Sequence, residues 1–238
     1  MFCKFKSLNP QIEEENSNIY YHNGSKDISE FEIPNSFTEI GENAFTYCES
    51  LTKITIPNSV TKIGEEAFSF CKLLTSIIIP NSVTEIGGGA FYYCSSLTNI
   101  TIPNSVTEIG EGAFSECTSL TNITIPNGVT KIDECTFTCC KSLTNITIPS
   151  SIKEIANYAF EECTSLMSIT IPNRVVKIGN WAFIECTSLS NVIIPNSVIK
   201  IGEEAFSKCT SLKNITIPNS VIEISKNAFP KDCKVNKK

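Results

Sequence analysis

Nine prolines fall 23 residues apart, at Pro34, Pro57, Pro80, Pro103, Pro126, Pro149, Pro172, Pro195 and Pro218. Phenylalanines keep the same period from Phe45 to Phe229, and eight of the twelve cysteines keep it from Cys48 to Cys209. So regular a period marks a repeat architecture, in which each unit is one small supersecondary element that buries its apolar side only by stacking on its neighbours. No insertion breaks the register from Pro34 to Ile217, and a partial ninth unit runs to Phe229. The expected layout is an irregular cap over residues 1–33, a solenoid of eight full repeats and a partial ninth over 34–229, and a basic tail over 230–238 that lacks a further strand.

The unit from Leu51 to Leu74 shows what each copy does. Leu51, Ile54 and Ile56 alternate with Thr52, Lys53 and Thr55, the pattern of a short strand with one buried face. Pro57-Asn58-Ser59 then ends the strand, because proline cannot donate to a continuing ladder and presets a turn. Val60 and Ile63 form a second apolar pair in a short extended piece. Acidic Glu65 and Glu66 follow Gly64 and suit the first turn of a helix. Ala67, Phe68, Cys71 and Leu74 stand at the i, i+1, i+4 and i+7 spacing of a buried helical face. The spacing thus predicts an α/β repeat solenoid with a parallel sheet on one side and short helical turns on the other.

Cys71, Leu74, Ile77, Ile79, Pro80, Val83, Ile86, Gly87, Ala90 and Phe91 make up a pattern repeated with few changes in the other units; Asp133 and Ala156 replace its glycine, Thr136 its alanine and Ser150 its asparagine. In these residues the chain resembles the leucine-rich repeat family, in its 23-residue BspA-like (treponemal) form. The resemblance implies a right-handed coil with a concave parallel sheet and a role in protein recognition or adhesion rather than catalysis. It also implies a surface or secreted location and a host or matrix glycoprotein as partner.

In a solenoid the unit of function is a column of equivalent positions, because stacked strands lie about 4.8 Å apart. One outward column reads Thr55, Ile78, Thr101, Thr124, Thr147, Thr170, Ile193 and Thr216. Two positions earlier, Lys53, Ser76, Asn99, Asn122, Asn145, Ser168, Asn191 and Asn214 form a second. This nearly uncharged lawn of threonine, asparagine and serine is suited to hydrogen-bonding an extended partner or a glycan, and it is equally what keeps a sheet soluble, since threonine favours strands. Ile78 and Ile193 break it. A second candidate surface is aromatic: Tyr47, Phe70 and Tyr93 share one column, and Tyr158 and Trp181 another. Such clusters suit hot spots, or rings that stack beside the core.

The cysteine ladder is expected to be packed and inert. Cys135 and Cys139 lie off it, in columns otherwise held by exposed residues, and are candidate reactive thiols. No chelating spacing points to a metal, and no cofactor motif is present. The single histidine, His22, sits in the cap with no placed nucleophile beside it, so the reading is of a chain that binds rather than catalyses.

Nineteen Lys and Arg against 25 Asp and Glu exclude the clustered basic face that nucleic acid demands. Apolar runs are far shorter than the roughly 18 residues of a membrane span. The compartment has two opposed indications: the resemblance points outward, whereas many cysteines and the lack of a secretory leader point to a reducing interior. Asn99, Asn122, Asn145 and Asn214 each open an Asn-Ile-Thr glycosylation sequon, and Asn23 opens another. The expected function is therefore protein recognition through the sheet; the alternative is an intracellular scaffold whose solenoid ends self-associate.

Overall fold

The computed structural model describes residues 28–238 and the backbone of residues 12–15 and 18–21; His22 and Cys3 lie outside the described residues. Each unit contributes one strand of three residues, four in the last, and one of two. The longer ones are β3 (Glu30–Glu32), β5 (Lys53–Thr55), β7 (Ser76–Ile78), β9 (Asn99–Thr101), β11 (Asn122–Thr124), β13 (Asn145–Thr147), β15 (Ser168–Thr170), β17 (Asn191–Ile193) and β19 (Asn214–Ile217). They alternate in the chain with β4 (Glu39–Ile40), β6 (Lys62–Ile63), β8 (Glu85–Ile86), β10 (Glu108–Ile109), β12 (Lys131–Ile132), β14 (Glu154–Ile155), β16 (Lys177–Ile178), β18 (Lys200–Ile201) and β20 (Glu223–Ile224). Paired strands in each of the two sets run parallel and in register, one repeat apart. The Pro-Asn-Ser turn between them closes in each unit by a bond such as Val83 N–H to the Pro80 carbonyl, 3.1 Å.

The expected helical turns are absent: the described residues contain no helix. The segment from Gly64 to Cys71 is a run of overlapping β-turns, with Ala67, Ser69 and Cys71 each donating three residues back, to Gly64, Glu66 and Phe68. The residues between them, Glu66, Phe68 and Phe70, donate to Gly88, Ala90 and Tyr92 of the next coil, each at 2.8 Å. A helix needs every N–H for its own i−4 carbonyl, so a segment that sends alternate donors to its neighbour cannot be one. The turns place two residues per coil at positive φ, Glu66 at 50° and Phe70 at 59°, the left-handed value that the third residue of a type II turn adopts.

Inside, Phe45, Phe68, Phe91, Phe114, Phe137, Phe160, Phe183, Phe206 and Phe229 stack in one file, centroids 5.1–5.6 Å apart and planes within 13° of parallel. Hydrogen bonds therefore join coils on the turn side as well as the sheet side, at nearly one repeat distance. Helices, which pack 8–10 Å apart, would have to splay on the outside of such a coil; their absence removes that source of curvature.

Both ends differ from expectation. Residues 1–33 were expected to form an irregular cap, but within it β1 (Ile12–Glu15) and β2 (Asn18–Tyr21) pair antiparallel, and β2 continues the two-residue sheet against β4. Three consecutive glutamates hide the alternation of β1. The basic tail likewise forms β21 (Lys234–Lys237), which pairs with β19 over Asn214–Ile217. Lysines on such an outermost strand discourage pairing with other chains.

The ladders are interrupted in three places. The two-residue sheet breaks between β10 and β12, and the longer sheet between β13 and β15 and between β17 and β19. The first break falls at the unit in which Asp133 stands in the glycine column. At Gly110, a Cβ would lie 2.5 Å from the Gly88 nitrogen and 2.8 Å from its Cα. Asp133 carries a Cβ at the equivalent position, and the bond that Gly110 makes to Ile86 at 2.9 Å has no counterpart from Asp133 to Ile109, whereas the smaller Ala156 and Ser225 of the same column keep it, to Ile132 at 2.9 Å and Ile201 at 3.0 Å. A crevice lined by Ile109, Val129, Ile132 and Phe137 opens there.

Candidate recognition surface

The sheet of longer strands displays the two outward columns intact. Lys53, Asn99, Asn122, Asn145, Thr55, Thr101, Thr124, Thr147, Thr170 and Thr216 are all exposed, with the strand isoleucines between them turned inward. The flanking column explains how these strands are held: Thr52, Thr98, Thr121 and Thr144 donate their hydroxyls to the carbonyl one coil earlier, at 2.7–3.4 Å. Met167 and Lys213 replace threonine in that column, and both ladder breaks of this sheet lie at those two residues.

Ile78 is 79% exposed and Ile193 52%. Each borders a shallow groove of about 480 Å³, the first between β5 and β7 with Glu30, Lys53 and Thr55 on its walls, the second between β17 and β19 with Asn191, Asn214 and Lys238. The register extends both columns past the repeats: Glu30 pairs with Lys53 and Glu32 with Thr55 at one end, and Asn214 pairs with Lys234 and Thr216 with Asn236 at the other. The face thus runs from a pair of carboxylates, through an uncharged middle, to lysines.

The aromatic residues occupy the turn side. Tyr47 stacks on Phe70 at 4.6 Å, Phe70 on Tyr93 at 5.1 Å, and Tyr158 on Trp181 at 5.0 Å. All five sit at the positive-φ positions. Because the rings cover one another's faces, Phe70 offers a partner only its edge, and Lys72 lies 5.9 Å from the centroids of both Phe70 and Tyr93. A contiguous apolar stripe that column reading of the strands overlooked runs along Val176, Ile199 and Ile222, all exposed; listing residues Thr38 to Ile222 at the repeat period would have found it.

The ladder cysteines act as donors. Each Sγ from Cys71 to Cys209 points to the carbonyl of the phenylalanine 26 residues earlier, at 3.0–3.2 Å. Burial pushes the Cys94 thiol up to about 12. Cys139, a candidate reactive thiol, is also buried; desolvation first, then Glu116 and Glu162, hold it at about 12. Cys135 is half-buried and raised by desolvation too. Both thiols are therefore held protonated and away from the nucleophilic form. All cysteines among the described residues are free, and no group of metal-ligating side chains occurs among those residues. Nor does any described helix have the length and apolarity to cross a membrane.

The BspA type leucine rich repeat region model matches residues 15–144 and 130–237, with six copies. No curated protein matches the chain. Among solved structures, a leucine-rich cell surface protein from Faecalibacterium prausnitzii is 24% identical, over 98% of this chain and 86% of its own, with a TM-score of 0.61. A leucine-rich repeat protein from Bacteroides ovatus is 26% identical over 96% and 82%, TM-score 0.59. The leucine-rich repeat protein of T. pallidum is 28% identical over 82% of each chain, TM-score 0.56. With the repeat model covering nearly all of the stacked coils, the chain belongs to the BspA-type leucine-rich repeat family.

Proposed function

We propose that this chain is a non-enzymatic protein-recognition or adhesion module that engages its partner through the sheet of longer strands. The observation that carries the reading is the pair of exposed isoleucines, Ile78 and Ile193, each beside a groove in a face that is otherwise amide and hydroxyl. Apolar side chains in a polar surrounding supply the anchoring contacts, while the columns around them supply donors and acceptors. Because the strands are already ordered, binding costs little conformational entropy. Family membership supports a binding role, and the surface location given for the F. prausnitzii relative supports adhesion, with a host or matrix glycoprotein as the partner class. The protonated state of the described thiols supports the non-enzymatic part of the reading. Self-association through the solenoid ends has weaker support, because Lys234 and Lys237 lie on β21, the outermost strand of the longer sheet among the described residues.

The test is capture of purified matrix glycoproteins, with and without their glycans, by the immobilised chain. Ile78→Asp and Thr124→Arg are expected to lower capture at least tenfold at an unchanged melting midpoint, and Tyr47→Ala to leave it alone. Full capture by Ile78→Asp and Thr124→Arg, or loss with Tyr47→Ala alone, overturns the sheet as the binding face.

A further inference from the structure

One of the outward columns reads almost the same in both directions. Among the described residues, from β3 to β21, it runs Glu32, Thr55, Ile78, four threonines, Ile193, Thr216, Asn236, so that the isoleucines stand third from either end of these ten strands. The other begins at Glu30 and ends at Lys234. A surface with this pattern is complementary to itself once it is turned end for end.

Resting on the reading of this face as the recognition surface, we propose that a partner it fits is a second copy of the same chain. The two copies pack face to face about a twofold axis that lies parallel to the strands and passes between β11 and β13. That axis sets each strand against the one equally far from the other end of its partner. Ile78 then meets Ile193 of the second copy, and Ile193 meets its Ile78. Glu30 meets Lys234, Lys53 meets Asn214, and threonines and asparagines meet their own kind at the centre. Each isoleucine lies beside its own groove of about 480 Å³, which receives the facing isoleucine. The other face-to-face twofold, along the solenoid, sets Glu30 against Glu32 and places both isoleucines opposite polar side chains, so charge and packing select the same axis. Such an isologous contact closes on itself and stops at the dimer.

The size of the face agrees. Ten strands at about 4.8 Å, each presenting a width of about 10–14 Å, cover roughly 500–650 Å² per copy. A total near 1,000–1,300 Å² is at the lower end of specific interfaces, the range of reversible contacts.

The experiment is sedimentation equilibrium of the full chain made in bacteria, so that Asn99, Asn122 and Asn145 carry no glycans, from 1 μM to 1 mM. The apparent mass is expected to rise from 26.2 kDa toward twice that value. Ile78→Asp and Ile193→Asp should each raise the dissociation constant at least tenfold, while the melting midpoint of the monomer is kept. Glu30→Lys alone should weaken the dimer, and Glu30→Lys with Lys234→Glu in one chain should restore it. A chain that stays monomeric at 1 mM overturns self-pairing; if Ile78→Asp still abolishes glycoprotein capture, the recognition face stands without it. A dimer indifferent to both isoleucine variants, or one that the charge exchange does not restore, overturns the proposed axis.

Discussion

The Sγ of Cys94 donates to the carbonyl of Phe68 at 3.1 Å, and the same carbonyl already accepts the Cys71 N–H at 3.1 Å. Both lone pairs of a buried oxygen are thus used, one from its own coil and one from the next. A small side chain with a weak donor meets this need, which accounts for cysteine recurring at the repeat period in a chain whose described thiols form no disulfide. Cys94→Ala removes the donor and leaves a small void, and is expected to cost about 1–2 kcal/mol in urea unfolding. A cost below about 0.3 kcal/mol would show the thiol to be mere filler.

The same burial makes the fold sensitive to alkali. With Cys94 and Cys139 raised to about 12 in the native state from 9.0, the unfolded chain loses its thiol protons first. Folding stability is therefore whole below about pH 9 and falls as the pH rises toward 12, by up to about 1.4 kcal/mol per pH unit for each such thiol. Urea midpoints at pH 8 and pH 10 check the sign; an unchanged midpoint would contradict it.

Positive φ at Glu204, 51°, strains a residue with a Cβ. Gly89 and Gly112 occupy the same column at 58° and 61°. Glu204→Gly is expected to stabilise the chain by about 0.5–1 kcal/mol, read as a rise in melting midpoint. The opposite change, Gly110→Ala, forces a Cβ to within 2.5 Å of the Gly88 backbone and should cost more than about 2 kcal/mol.

The register, the strand positions and both outward columns were legible in the sequence because a 23-residue repeat prints each position eight or nine times. The turn segment was not. Ala67, Phe68, Cys71 and Leu74 have the spacing of a helical face, and nothing within one unit shows that Phe68 donates to Ala90 in the next. A signal was nevertheless present: Asn43, Gly89, Gly112 and Asn227 share a column, and glycine and asparagine are the residues that adopt left-handed backbone. The strand β21 escaped because its lysines read as a tail. On the candidate surface, the two isoleucines were visible as exceptions in a column, whereas their grooves depend on the distance between neighbouring strands.

Hydrogen exchange should map the break at Asp133. The amides of Thr107 and Gly110 bond to Thr84 and Ile86, at 2.9 Å each, while those of Thr130 and Asp133 have no equivalent partner one coil earlier. Exchange at Thr130 and Asp133 is expected to be at least tenfold faster; equal protection on both sides would place the weakness elsewhere.

The interrupted ladders also decide how the molecule would respond to a pull. Every coil is fastened to the next by parallel rows of bonds that lie along the long axis, so tension on the two ends loads each boundary in series. The boundary between Ile109 and Ile132 lacks its two-residue row, while those between β13 and β15 and between β17 and β19 lack their longer one, and a chain parts at its weakest link. The rod therefore yields first at one of these three boundaries, and the four coils from Glu30 to Ile109, joined by both rows, come away as one piece.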